Sequence, residues 1–173
     1  MTLLEALMDT GMPFELTWCP KGVFTADDVA NTLGIEPRSV AKAILLRVAD
    51  GSLIVAVVPG DRRVDLKAIS RYLHGKDVEL VDRSKVAATV GSQVGAVTPL
   101  VGLVDSRVSI YFDEALIEED VVNIATGDLG LGANVRTIDL VTTLRPVILK
   151  ISKPIASSVS QRSTAPRCDA TPA

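Results

Sequence analysis

The chain reads as an α+β domain built on a mixed sheet, and three observations predict it. Two apolar runs, Lys42 to Val48 and Leu53 to Val58, flank Ala49-Asp50-Gly51-Ser52, whose Asp-Gly pair signals a tight antiparallel hairpin. Further short strands alternate with capped helices, which suggests a mixed sheet rather than a doubly wound one. At 173 residues, 47% hydrophobic and 23% charged, the chain can bury a sizeable core in one domain.

The elements follow in order. Leu3, Leu4, Leu7 and Met8 recur at helical spacing, and Gly11 and Pro13 end that helix. Phe14 to Trp18 alternates as a strand does. Thr25 then caps a helix with Asp28 in the capping-box position, Val29, Ala30 and Leu33 form its buried stripe, and Gly34 stops it. After the hairpin, Asp65 opens a helix with Leu66, Ile69 and Leu73 on one face, ending near Gly75. A short strand at Val78 to Val81 and a helix from Asp82 to Val90 follow. Gly91 to Pro99 is loop-like. Val108 to Phe112 and Val121 to Ala125 are strands on either side of a short helical segment at Glu114 to Ile117. Gly127, Gly130 and Gly132 crowd one turn, and Thr137 caps a last short helix.

After about Lys150 the composition shifts to Ser, Thr, Pro and Ala without a period. Residues 1–150 are therefore the expected domain and 151–173 a disordered polar tail. Lys153, Arg162 and Arg167 against Asp169 leave that tail at +2, so with a net charge of -3 residues 1–150 carry -5.

That charge argues against a protein that coats nucleic acid through a large basic face. A local patch remains open: Arg62, Arg63, Lys67 and Arg71 lie close together, with Arg83 and Lys85 following. They form either a site for one end of an RNA or a solvated face balanced by Asp61 and Asp65. No apolar run approaches the ~20 residues that span a bilayer, so no membrane partner is expected. No basic leader or cleavage site is visible at the start. Cys19 and Cys168 form no close-spaced motif, so a reducing cytoplasm is the expected setting.

Side chains of the familiar hydrolytic kinds are sparse. His74, the one histidine, sits at a helix end, where a cation is ordinary. One histidine cannot make a multi-histidine metal site, and no metal or organic cofactor is expected. Cys19 is read as a small residue in a pocket wall rather than a nucleophile. The glycines at 127, 130 and 132 have the wrong spacing and context for a dinucleotide loop.

Two features carry chemistry. Lys42 stands at the mouth of Ala43-Ile44-Leu45-Leu46, where it either snorkels from a sheet end or projects a cation into a cleft. The loop Gly95-Ala96-Val97-Thr98-Pro99 is either a surface turn or a set of amide donors aimed at an oxygen that gains negative charge. In it Gly95 permits close approach, Thr98 adds a hydroxyl and Pro99 stiffens the far end.

In order and spacing, Thr25 to Gly34, Val40 to Leu46, Val57 to Lys67, Gly95 to Leu100 and Tyr111 to Leu116 resemble the YbaK and prolyl-tRNA-synthetase-associated editing family, from roughly Phe14 to Leu144. The resemblance implies a mixed, largely antiparallel, barrel-like sheet flanked by helices. It implies a freestanding, trans-acting aminoacyl-tRNA deacylase that hydrolyses the ester of mischarged tRNA. Lys42 would then be the functional lysine, Gly95 with Pro99 the glycine-to-proline loop, and Thr98 its hydroxyl. Cys19, Thr25, Gly60, Asp61 and Gly127 are the candidate substrate-binding residues. The acceptor end of tRNA is the implied partner, an aminoacyl-tRNA synthetase a further candidate, and a monomer or weak homodimer the expected state. The cysteinyl-tRNA deacylase branch has an aromatic near Cys19, another near Thr25 and an acid near Gly132, and this chain has none of them. Thr25 looks more like the branches related to alanyl-tRNA editing. Two rivals remain: a non-catalytic tRNA- or synthetase-binding module of the same fold, and a small-molecule esterase.

Overall fold

Local capping fixes where the helices begin. The computed structural model describes residues 1–20, 25–92 and 95–155. Helix α1 (Leu3–Asp9) opens on a capping box in which Thr2 Oγ1 accepts from Glu5 N at 3.1 Å and Glu5 Oε2 accepts from Thr2 N at 2.6 Å. Helix α2 (Ala26–Leu33) repeats the device with Thr25 and Asp28, and Gly34 ends it in the left-handed region. Asp65 caps α3 (Leu66–Tyr72), and Asp82 caps α4 (Arg83–Val90). Helices α5 (Val101–Val104) and α6 (Thr137–Leu144) complete the set. The expected cap at Thr137 is displaced by one residue: Arg136 takes the cap position, and the buried Thr137 hydroxyl finds no partner among the described residues.

The strands are β1 (Phe14–Trp18), β2 (Ala41–Val48), β3 (Leu53–Pro59), β4 (Arg62–Val64), β5 (Val78–Leu80), β6 (Val108–Asp113), β7 (Val121–Ala125), β8 (Leu131–Arg136), β9 (Val147–Leu149) and β10 (Ser152–Pro154). The main sheet has the order β5-β2-β3-β6-β9, antiparallel on the β2 side and parallel where β6 meets β3 and β9. A three-stranded antiparallel sheet, β1-β8-β7, and a pair, β10-β4, accompany it. The architecture is thus the expected mixed, largely antiparallel α+β one, without full closure of a barrel.

Strand β3 shows why the main sheet is stable. Val55 and Val57 face the larger core with Leu45, Phe112, Ile124 and Leu140, while Ile54, Ala56 and Val58 face a second core with Leu46, Ile69 and Tyr111. A strand covered on both faces needs a continuous apolar run rather than alternation. The larger core also takes Val122, Ala133 and Val135 from the three-stranded sheet. A parallel bridge from Val40 to Asn123 joins the two sheets at their edges.

The expected domain end at residue 150 falls short. Ile151 is 1% exposed, and its N–H donates to the buried Asp113 Oδ2 at 2.8 Å. Ser152, Lys153 and Pro154 pair with Val64, Arg63 and Arg62. Polar composition hid this strand, because an edge strand needs only backbone pairing on one side. The rest of the expected tail, from residue 156, lies outside the described residues.

Candidate functional site

The hairpin β2-β3 delivers Lys42 opposite Val58, one residue before β3 ends at Pro59. Gly60 makes the turn possible: a Cβ there would lie 2.8 Å from Ala26 Cβ and closer still to the Pro37 carbonyl oxygen. Only hydrogen fits, so α2 and the turn close on each other beside Lys42. The result is a cleft of about 650 Å³ between α2, β2, the start of α4, the Gly95 loop and the β7–β8 hairpin.

Lys42 is half-buried in the wall of this cleft, and its ammonium donates to the backbone carbonyl of Arg62. Burial holds its pKa below the usual lysine value, while the charges of Asp27 and Asp61 pull it back up. Of the two readings of this lysine, the geometry favours the cation in a cleft.

Gly95 and Val97 also line the wall, and Gly95 has φ +88°. Among the described residues, the N–H groups of Val97 and Thr98 have no hydrogen-bond acceptor, and Thr98 is 0% exposed. Of these two residues, Val97 lies in the cleft lining.

The other expected residues divide. Cys19, Thr25 and Gly60 line the cleft; Cys19 is buried, which pushes its thiol pKa up and fits a wall residue rather than a nucleophile. Thr98 and Pro99 do not line it. The Thr98 hydroxyl instead accepts from Leu100 N at 3.3 Å, and Pro99 is buried at the entry to α5. Asp61 is also outside the lining and reaches Lys42 only through its charge. Gly127 packs away from the cleft, where a Cβ would meet Leu3 Cδ1 at 2.7 Å. Within the basic cluster, Arg63 and Arg83 reach the cleft; Arg62 is held by Ser152, its Nε donating to Ser152 Oγ at 2.6 Å.

Asn123, Gly130 and Gly132 are among the lining residues that the sequence did not single out as candidates. The glycines belong to β8 and its approach, not to a simple turn. A Cβ at Gly130 would lie 2.7 Å from the Cys19 carbonyl oxygen, and one at Gly132 would lie 2.7 Å from Thr17 Oγ1 and 3.0 Å from Asn123 Oδ1. For Asn123 a signal existed, since a lone amide inside the apolar run Val121–Ala125 must find partners if buried. Among the described residues, no group of three or more His, Cys, Asp or Glu is placed to hold a metal ion. Nor is any helix there long and apolar enough to cross a membrane.

Comparison with known proteins agrees with this fold. The chain belongs to the aminoacyl-tRNA editing domain family, whose model matches residues 20–141. It is 33% identical over 94 residues to a proline–tRNA ligase of Bacillus licheniformis, covering 54% of this chain and 16% of the ligase. It is 30% identical over 87 residues to a candidate Cys-tRNA(Pro)/Cys-tRNA(Cys) deacylase of Enterococcus faecalis, covering 50% and 52% of the two chains. The matched segment is thus a small part of the ligase and about half of the deacylase. A crystal structure described as a candidate trans-editing enzyme for prolyl-tRNA synthetase superposes with TM-score 0.76 at 21% identity, covering 87% of this chain and 94% of that one. A hypothetical protein superposes with TM-score 0.79 at 22% identity. These two likenesses concern the fold.

Proposed function

We propose that the protein is a trans-acting aminoacyl-tRNA deacylase that hydrolyses the ester joining a wrong amino acid to the terminal ribose of tRNA. The observation that carries this reading is the pairing of a half-buried ammonium, Lys42, with the Gly95–Val97 loop, whose Val97 N–H has no acceptor among the described residues, around one cleft of an editing-domain fold.

An aminoacyl ester is already activated, so positioning and charge stabilisation suffice without a dedicated histidine base. Water, or a hydroxyl of the substrate, adds to the ester carbonyl carbon. The carbonyl oxygen becomes an oxyanion, and the amides of the Gly95 loop donate to it. Collapse of the intermediate breaks the bond to the ribose oxygen, which leaves with a proton as a hydroxyl. Lys42 orients the terminal phosphate or the carbonyl by charge and does not act as a nucleophile. Arg63 and Arg83, both exposed in the cleft wall, are suited to the flanking phosphates.

The test is release of amino acid from a panel of mischarged tRNAs by the purified chain. Turnover on at least one is expected. Binding of tRNA without release would make the protein a binding module, and cleavage of aminoacyl esters lacking tRNA at equal efficiency would make it a small-molecule esterase.

A further inference from the structure

Asn123 is 5% exposed, yet it lines the cleft. It lies on one rung of the three-stranded sheet, directly opposite Asn134, which is in turn opposite Glu15. Hydrogen bonds run along this rung. Asn134 Nδ2 donates to Glu15 Oε2 at 3.4 Å, and Asn123 Nδ2 donates to Asn134 Oδ1 and to Thr17 Oγ1, each at 2.9 Å.

The order of these bonds fixes which atom of Asn123 is left over. An ionised carboxylate only accepts, so Glu15 takes the NH₂ end of Asn134 and turns its oxygen inward. That oxygen takes one N–H of Asn123, and Thr17 takes the other. Both donors are used. Oδ1 remains, and among the described residues it accepts no hydrogen bond. It stands over Gly132, another lining residue, just 3.0 Å from where a Cβ would be. The missing side chain at 132 is what keeps the oxygen uncovered.

A nearly buried carbonyl oxygen facing a cleft calls for a donor on the ligand. Asp27 and Asp128 share the lining with Lys42, Arg63 and Arg83, so the choice of donor rests on the substrate's own chemistry. On the deacylase reading, on which this inference rests, the substrate carries one cation close to the scissile ester. We infer that Asn123 Oδ1 binds the α-ammonium group of the aminoacyl moiety, with Glu15 and Asn134 as positioning residues. The protein therefore discriminates a free aminoacyl ester from one whose amino group is acylated.

The experiment compares the mischarged tRNA that wild type cleaves fastest with its N-acetylated form, at single turnover. A hydrogen bond to a charged group is worth about 10- to 100-fold, so wild type should prefer the free form by that factor. Asn123→Leu should bring the preference close to one, while Asn123→Asp, which keeps an acceptor, should retain it. Circular dichroism and thermal melting check that both fold. Glu15 is exposed, so Glu15→Ala is a variant with little folding risk; it frees Asn134 to turn and should lower the preference without abolishing cleavage.

A second readout is binding of 3′-alanylamino-3′-deoxyadenosine and its N-acetyl derivative. Trp18, the sole tryptophan, reports it by fluorescence, since its ring comes within 3.9 Å of a Cβ position at Gly130 in the cleft lining. Equal cleavage of free and acetylated tRNA by wild type, or an unchanged preference in a folded Asn123→Leu, would overturn the inference while leaving the deacylase reading intact. Failure to cleave any tRNA would remove that reading, and equal binding of the two analogues would then remove this one as well.

Discussion

The Lys42 ammonium donates to the main-chain carbonyl of Arg62, so the strand carrying the cation is tied to the strand that follows the Gly60 turn. The bond fixes the direction of a long, flexible side chain and leaves its other N–H donors for a ligand.

Lys42→Ala should therefore remove most deacylation while the fold survives. Loss of a hydrogen bond to a charged group costs roughly 1.5–3 kcal/mol, or about one to two decades in rate. Lys42→Arg should also be impaired, because a planar fork does not replace a compact ammonium. Single-turnover rates and melting curves measure both effects. Near-native cleavage by folded Lys42→Ala would remove the lysine from the mechanism.

The depressed pKa of Lys42 predicts a pH profile. Burial disfavours its charged form, with Asp27 and Asp61 opposing, so the folded protein loses this proton below the ordinary lysine value of ~10.4. The cleavage rate, corrected for spontaneous alkaline hydrolysis of the ester, should fall as pH rises through that lowered pKa. The residual activity of Lys42→Arg should show no such limb, since arginine stays charged. Stability moves the other way. Between the folded and unfolded pKa the unfolded chain binds more protons, so this group's contribution to unfolding free energy rises with pH in that window. A wild-type rate that stays flat up to pH ~10.4 would contradict the assignment.

Ending the chain after Lys150 should destabilise it. The cut removes Ile151 from the second core, the partner of Asp113 Oδ2, the β10–β4 pairing and the Lys153–Asp65 ion pair at 2.9 Å. Burial of one isoleucine is worth about 1.5–3 kcal/mol, so Tm should fall by roughly 5–10 °C for a domain of this size. Ending it after Ile155 should change Tm little. The hydrogen bond from Lys153 is the main reason the Asp65 carboxyl titrates below its ordinary range. Its stabilising share is present above the unfolded pKa of ~3.9 and is lost as pH falls through the folded value. Equal melting temperatures for the chains ending at 150 and 155 would show that the β10 pairing adds nothing.

Residue chemistry that acts locally was legible in the sequence. Thr25 with Asp28, Asp65, Asp82 and the Asp50-Gly51 pair each impose structure within a few residues, and the elements they delimit form as expected. Strand β8 alternates Leu131, Ala133 and Val135 with Gly132, Asn134 and Arg136, but the glycines at 130 and 132 made the segment read as a turn. Gly130, Gly132 and Asn134 serve the cleft: the glycines make room for Cys19 and Thr17, and Asn134 orients Asn123. Lys42 and Gly95 were visible as a cation beside an apolar run and a glycine opening a loop. Thr98 misled because a hydroxyl in such a loop can serve the ligand or the backbone, and here it binds Leu100 N. Only the three-dimensional turn decides between the two.

Gly95→Ala separates a hydrolase from a binding module. At φ +88° an alanine is strained, so the substitution should twist the loop and misdirect the amides that follow, that of Val97 in the cleft wall among them. Donors aimed at an oxyanion act more strongly on the transition state than on the bound ester, so kcat should fall further than affinity for uncleaved tRNA. Removal of one such donor costs on the order of 10²–10³ in kcat, which bounds the loss expected from a displaced loop. The measurement pairs single-turnover deacylation with binding of tRNA carrying a non-hydrolysable amide-linked amino acid. Losses of equal size in rate and binding would assign the loop to recognition alone. Unchanged rate and binding in a folded variant would reduce Gly95 to Pro99 to a surface turn and leave Lys42 as the sole anchor of the mechanism.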